Sequence, residues 1–180
     1  SSHKIHGPKG SGALYVRQGV HLQPLLYGGG QEKDLRPGTQ NMPGIAGFGE
    51  AAEQVDAAAE ASHAAQLRGE MEKLLTNSID NIQINGHHTI PQILNVSFHG
   101  TKSEVLLHLL ESRGIMVSSG SACSSNKPAP SHVLLEMGLD RKSVDAAVRF
   151  SFSRYNTLEE IRYCVDVLKK ELPALRRMMR

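Results

Sequence analysis

The chain has 180 residues, 39% hydrophobic and 21% charged, the balance of a globular protein large enough for one good core or two small ones. A net charge of only +2, a basic excess confined to the terminal "LRRMMR", 4% aromatics and no Trp point away from nucleic-acid binding. Two distant cysteines without metal-ligand spacing point to a reducing compartment, and no signal-like start or apolar run of about 20 residues argues for a membrane, so a cytoplasmic protein is expected.

The chain opens on "SSHKIHGPKG", with no initiator methionine and no leader, and reads as the second half of something, cut or split just before a reactive lysine. The Gly/Pro turn "GPKGSG" places Lys4 on the far side of a tight reversal from "GALYVR", Gly12 to Arg17, which reads as a short strand. "YGGGQEKDLRPGTQN" is a Gly-rich loop. From Gly44 to Leu75 the Ala- and Glu-rich sequence predicts one long helix, weakest at Gly69 and bridging two lobes, with the domain boundary near its start. "ILNVSF" is a half-buried strand with Leu94, Val96 and Phe98 on one face and Asn95 and Ser97 on the other. "TKSE" (Thr101 to Glu104) is a capping box for a helix through Val105, Leu106, Leu109 and Leu110 that stops at Gly114. "IMVS" is a strand candidate and "SSGSACSSNKPAP" a small-residue loop. "SHVLLEMG" is a short helix capped by Ser131, and "AVRFSFS" is a strand. "TLEE" (Thr157 to Glu160) is a second capping box, opening a last helix through Ile161, Val165 and Leu168 that Pro173 ends or kinks. The second lobe is therefore a small α+β layer.

Several side chains can carry chemistry. Cys123 lies in "SSGSACSSN", whose Gly and Ser permit a mobile, solvent-reachable backbone. A thiol of ordinary pKa about 8.5 needs only a modest shift to become a nucleophile. The alternative, a buried cysteine in a turn, fits its small polar neighbours less well. Cys164 shares a helical stripe with Ile161, Val165 and Leu168 and reads as core. Arg149 alternates with Val148, Phe150 and Phe152, so its guanidinium points away from the apolar face with Ser151. A strand-held arginine can clamp a carboxylate bidentately, or it can be a wet-face arginine with no such role. Lys4 can bond a cofactor aldehyde and act as a base, or be an ordinary solvated lysine, as Lys9 reads. "RPGT" (Arg36 to Thr39) is a turn whose N–H groups and Thr39 hydroxyl can hold a phosphate, or simply a turn. His87 and His88 read as a hairpin tip, and His99 and His132 stay unassigned.

Taken together, "SSHKIHGPKGSGALYV", "GGGQEKDLRPGTQN", "SSGSACSS" and "VRFSFSRYNTLEEI" resemble, in order, the motifs of NifS/IscS-type cysteine desulfurases. These are pyridoxal-phosphate enzymes of fold type I, in the class-V aminotransferase family. The resemblance implies an α/β fold: the end of the large cofactor domain over residues 1–45, then a bridging helix and the small α+β domain over 46–180. It implies Lys4 as the Schiff-base lysine and acid/base, Ser1 and His3 as phosphate ligands on the same subunit, and Thr39 as a phosphate ligand of the neighbouring subunit in a homodimer. It implies Cys123 as the sulfur-accepting nucleophile, in the longer loop of the NifS/IscS group, and Arg149 as the substrate carboxylate clamp.

The implied reaction converts L-cysteine to L-alanine and passes persulfide sulfur to an acceptor or iron–sulfur scaffold protein. The family has about as many residues again ahead of the lysine motif, and these supply the histidine that stacks on the cofactor ring and the aspartate that protonates it. Their lack here implies a chain that is inactive or very weak alone. Other readings are a non-catalytic remnant that binds a sulfur-acceptor scaffold, a selenocysteine lyase, and a Cys–His hydrolase, which leaves "SSHK" and "RPGT" unexplained.

Overall fold

A computed structural model of the chain describes residues 1–87, 90–119 and 130–179. The chain divides into two compact units, Ser1–Asp56 and Ala57–Arg180. The resemblance implies a domain boundary between residues 45 and 46.

The first unit begins with a one-turn 3-10 helix, Ser2–Ile5, closed by His6 in the left-handed region (φ 67°). The chain reverses behind it, and the Ser2 N–H donates to the Ser11 carbonyl at 3.1 Å. Gly7 is required here by space: a Cβ at that position would lie 2.0 Å from Ser2 Oγ. The expected strand at Gly12–Arg17 does not form. A strand exists by pairing its N–H and C=O groups, and no strand among the described residues pairs with this one; Leu14 and Tyr15 are 78% and 87% exposed.

Helix α1 (Met42–Glu53) starts at Asn41, whose side chain accepts from the Gly44 N–H. The single long helix expected over Gly44–Leu75 is two helices, α1 and α2 (Ala57–Ser78). The break falls at Gln54–Asp56 and not at Gly69, which α2 runs straight through. Asp56 immediately precedes α2, and aspartate favours helix starts over helix interiors.

Among the described residues the second unit contains a four-stranded antiparallel sheet of β1 (Ile82–Asn85), β2 (Ile93–Phe98), β3 (Ser118–Ser119) and β4 (Ala147–Ser151), in the order β1-β2-β4-β3. Of the expected strand "IMVS" only Ser118 lies in β3 among the described residues, and β1, whose Ile82 and Ile84 alternate with polar residues, went unpredicted. One sheet face carries Leu94, Val96, Phe98, Val148 and Phe150. Helices α2, α3 (Ser103–Glu111) and α6 (Leu158–Met178) cover it with Leu67, Met71, Leu75, Leu106, Leu110, Leu168 and Leu172. Phe98 and Phe150 meet edge to face at 6.3 Å between centroids.

Among the described residues, helices cover the opposite face at one end. There α4 (His132–Glu136) and α5 (Arg141–Asp145) supply Leu134 and Val144 against Ala147. Ser131 caps α4 as expected, and Asp140 caps α5, a helix the sequence reading missed.

The Thr157–Glu160 capping box forms completely. "TKSE" does not: Thr101 Oγ1 donates to the Phe98 carbonyl at 2.7 Å, and α3 begins behind Lys102 without a side-chain cap. Pro173 does not end α6. It removes one ladder bond on an exposed face, while the buried stripe Leu168, Leu172 and Leu175 holds the helix through it. The substitution Thr157→Ala is expected to cost about 1 kcal/mol, read as a lower urea midpoint at unchanged slope.

Candidate functional site

In the first unit, the 3-10 turn presents Ser1, His3 and Lys4 as exposed side chains. Among the described residues, the Lys4 amine, the His3 ring and the Ser1 hydroxyl make no hydrogen bond or ion pair. Ser2 beneath them is fully buried, and its hydroxyl has no partner among the described residues. The turn before Thr39 is set by Gly38 in the left-handed region (φ 103°) and by Arg36 Nη1 donating to the Gly38 carbonyl at 2.8 Å. The Gly38 N–H donates to Gln31 Oε1 at 3.1 Å, so this backbone donor, one of those the sequence offered for a phosphate, is already engaged. The exposed Thr39 hydroxyl remains without a partner among the described residues.

In the second unit, Arg149 stands on β4 between two neighbours. Asn95 of β2 lies opposite it on one side and Ser118 of β3 on the other. The apolar alternation behaves as the sequence required, with Val148, Phe150 and Phe152 buried and Arg149 half-buried on the other face. Arg149 Nη2 donates to Ser118 Oγ at a long 3.4 Å, and its Nε is buried without a partner among the described residues. A guanidinium held this way retains capacity for a planar anion.

The turn that follows β4 is pinned to α2. His63 Nε2 lies 2.9 Å from the Asn156 carbonyl, and Arg154 pairs with Glu60 at 3.0 Å.

Polar residues of the same sheet face were not marked as a site by the sequence. Asn85 Nδ2 donates to Asn95 Oδ1 at 2.7 Å and to Ser97 Oγ at 2.8 Å, and Ser97 Oγ donates to the Ser143 carbonyl at 2.7 Å. The alternation in "ILNVSF" placed Asn95 and Ser97 on this face, but nothing local marked them as bonded to one another.

A recess of about 530 Å³ opens beside this network, lined by Asn85, His87, Met137, Asp140 and Ser143 among others. The Ser143 backbone N–H, followed by its hydroxyl, holds the Asp140 carboxyl below the ordinary range. Cys123 and His88 lie outside the described residues. His132 opens α4 as an exposed side chain, and the carbonyl of His99 accepts from Arg176. No helix among the described residues is long and apolar enough to cross a membrane.

The aminotransferase class-V family matches residues 1–164. A cysteine desulfurase of Nostoc sp. is 42% identical over 182 residues, covering 98% of this chain and 45% of its own length. A solved NifS-like protein superposes with a TM-score of 0.84 at 38% identity, over 97% of this chain and 45% of that one. SspA, solved in complex with cysteine, aligns with a TM-score of 0.64 at 35% identity, over 87% of this chain and 44% of its own. The chain thus spans a little under half the length of the relatives it matches.

Cys164 takes no part in either cluster. It is buried in α6, and desolvation pushes its thiol from 9.0 up to about 12. Between those values the unfolded chain loses a proton that the native chain keeps, so this group's contribution to stability falls as pH rises above about 9 and is constant below. Iodoacetamide at about pH 8 is expected to leave Cys164 unmodified in the native chain and to label it once guanidinium unfolds the protein.

Proposed function

The chain belongs to the aminotransferase class-V family, and on that premise we propose that it is the C-terminal part of a NifS/IscS-type cysteine desulfurase. In this reading residues 1–45 close the large cofactor domain, and the remainder includes the small domain. Arg149 is the observation that carries the proposal. Its guanidinium is fixed on a central strand, has one buried nitrogen without a partner among the described residues, and is only loosely tied to Ser118. A carboxylate is the natural acceptor for such a group, and SspA in its cysteine complex supports L-cysteine as the molecule that brings one.

Pyridoxal phosphate fits the donors in the first unit. Ser1, His3 and Thr39 would hold its phosphate, with Thr39 reaching the neighbouring subunit of a homodimer, and Lys4 would hold its aldehyde. All four side chains are exposed and unengaged among the described residues, as a dianionic phosphate and a carbonyl carbon both require. When bound, this cofactor supplies an electron sink beside the substrate's α-carbon. Under this reading the ring-stacking histidine and the ring-nitrogen aspartate lie outside these 180 residues.

The roles of the chain's own residues follow. Arg149 fixes the substrate carboxylate and so orients the α-C–H bond. The Lys4 amine takes that proton and returns one to carbon. The Cys123 thiolate attacks the substrate sulfur, so that an S–S bond forms as the C–S bond breaks. The carbon keeps that electron pair and is protonated, alanine leaves, and Cys123 carries the persulfide. A sulfur-acceptor or iron–sulfur scaffold protein in the cytoplasm takes the sulfur by a second thiol exchange.

The test uses the full enzyme that contains this chain. Borohydride treatment followed by peptide mass mapping is expected to place the reduced cofactor on Lys4, and Lys4→Ala to remove it. Cys123→Ala is expected to keep the Lys4 adduct and lose all sulfur transfer to an acceptor. Retained transfer in Cys123→Ala, or an adduct on another lysine, overturns these assignments.

A further inference from the structure

We propose that Asn95 is a second donor to the carboxylate held by Arg149, and that a hydrogen-bond relay starting at the Ser143 carbonyl turns its amide to face the substrate with N–H groups. This rests on the reading of Arg149 given above and adds a specificity-determining residue to it.

The direction of the relay follows from which groups can donate. The Ser143 carbonyl only accepts, so the Ser97 hydroxyl must give its single proton there, across 2.7 Å. With that proton engaged, Ser97 Oγ can only accept from Asn85 at 2.8 Å, which fixes the amide nitrogen of Asn85 toward Ser97. The same nitrogen lies 2.7 Å from the Asn95 amide, which must therefore present its oxygen. The nitrogen of Asn95, with two N–H donors, is left over and makes no hydrogen bond among the described residues.

The orphaned Asn85 Oδ1 fits this account. It is buried without a partner among the described residues, and flipping the amide to relieve it would aim an acceptor at a hydroxyl that has no proton left. The relay therefore has one direction.

Position supplies the rest. Asn85 pairs with Asn95, Asn95 with Arg149, and Arg149 with Ser118, a single row across all four strands. Directly opposed residues share a face with Cβ atoms about 5 Å apart. The anchoring end is sealed, with Asn85 4% and Ser97 0% exposed, whereas Asn95, Arg149 and Ser118 are half-buried and reachable. The reachable end thus combines a guanidinium, an amide N–H pair and a hydroxyl, a surface rich in donors that suits a planar anion. If Asn95 served only to satisfy the sheet's buried polar groups, its loss would lower stability without changing which ligand is preferred.

The two roles separate in the full-length, cofactor-loaded enzyme, assayed with L-cysteine and inhibited by cysteamine, its analogue without the carboxylate. Removing a hydrogen bond to a charged group predicts a KM for L-cysteine raised about 10- to 100-fold in Asn95→Ala, and further in Asn95→Asp. The loss appears in KM and not in kcat, and inhibition by cysteamine is unmoved. Ser97→Ala, which frees the relay without touching the site, is expected to raise KM by less and in the same direction.

An unchanged KM in both Asn95 variants, or equal weakening of both ligands, overturns the proposal, and no rise in Ser97→Ala overturns the relay. Arg149→Ala is the reference. If it leaves the preference for L-cysteine over cysteamine intact, the carboxylate reading of Arg149 itself fails. If it abolishes that preference while the Asn95 variants do not, only the present inference fails.

Discussion

The pleat of β4 is the constraint on which the second unit depends. Val148 and Phe150 are locked into the core by α2, α3 and α6, and an alternating strand then has no choice about where Arg149 goes. The apolar packing that stabilises the sheet therefore also aims the guanidinium. A one-residue slip would exchange the two sets and put a charged group into the core, so register and site geometry are protected by the same energy. β4 is paired on both sides, and the turn after it is tied to α2 through His63 and Glu60, which leaves Arg149 little freedom to drift.

The two sheet faces divide the work. One is dry and packed with aliphatic side chains and the edge-to-face pair of Phe98 and Phe150. Among the described residues the other is covered by α4 and α5 near Ser97 and Ala147, and it grades from sealed to half-buried along a single row of residues. At the sealed end the Ser97 hydroxyl and the Asn85 amide nitrogen find partners inside the protein, while Asn85 Oδ1 is left without one among the described residues. Polar groups at the reachable end keep donor capacity.

Much of this was legible in the sequence. The alternation in "ILNVSF" and "AVRFSFS" identified both long strands and the side of the sheet on which Arg149 lies, because a period of two needs no long-range information. The Thr157–Glu160 capping box and the Cys164 stripe were readable for the same local reason. The failures share a cause as well. Gly12–Arg17 has strand-like residues, but strand formation depends on a neighbour that the local sequence cannot disclose. Thr101 and Glu104 have capping-box spacing, yet the hydroxyl found the Phe98 carbonyl first, a competition decided by the turn at Gly100. The Ala-rich run concealed the break at Asp56 because propensity was summed across a residue that starts helices. The Asn85–Asn95–Ser97 network joins residues up to 12 positions apart and was visible only once the strands were paired.

Arg176, near the end of α6, donates from Nε to the His99 carbonyl and from Nη2 to the Asn81 carbonyl, each at 3.0 Å, and burial lowers its pKa without threatening its charge. These carbonyls sit just before β1 and just after β2, so a side chain from the final helix ties together the outer corner of the sheet. That corner belongs to the hairpin that carries Asn85 and Asn95. Damage to the tail of the protein would therefore loosen the strand pair that carries Asn85 and Asn95 before any helix had visibly melted.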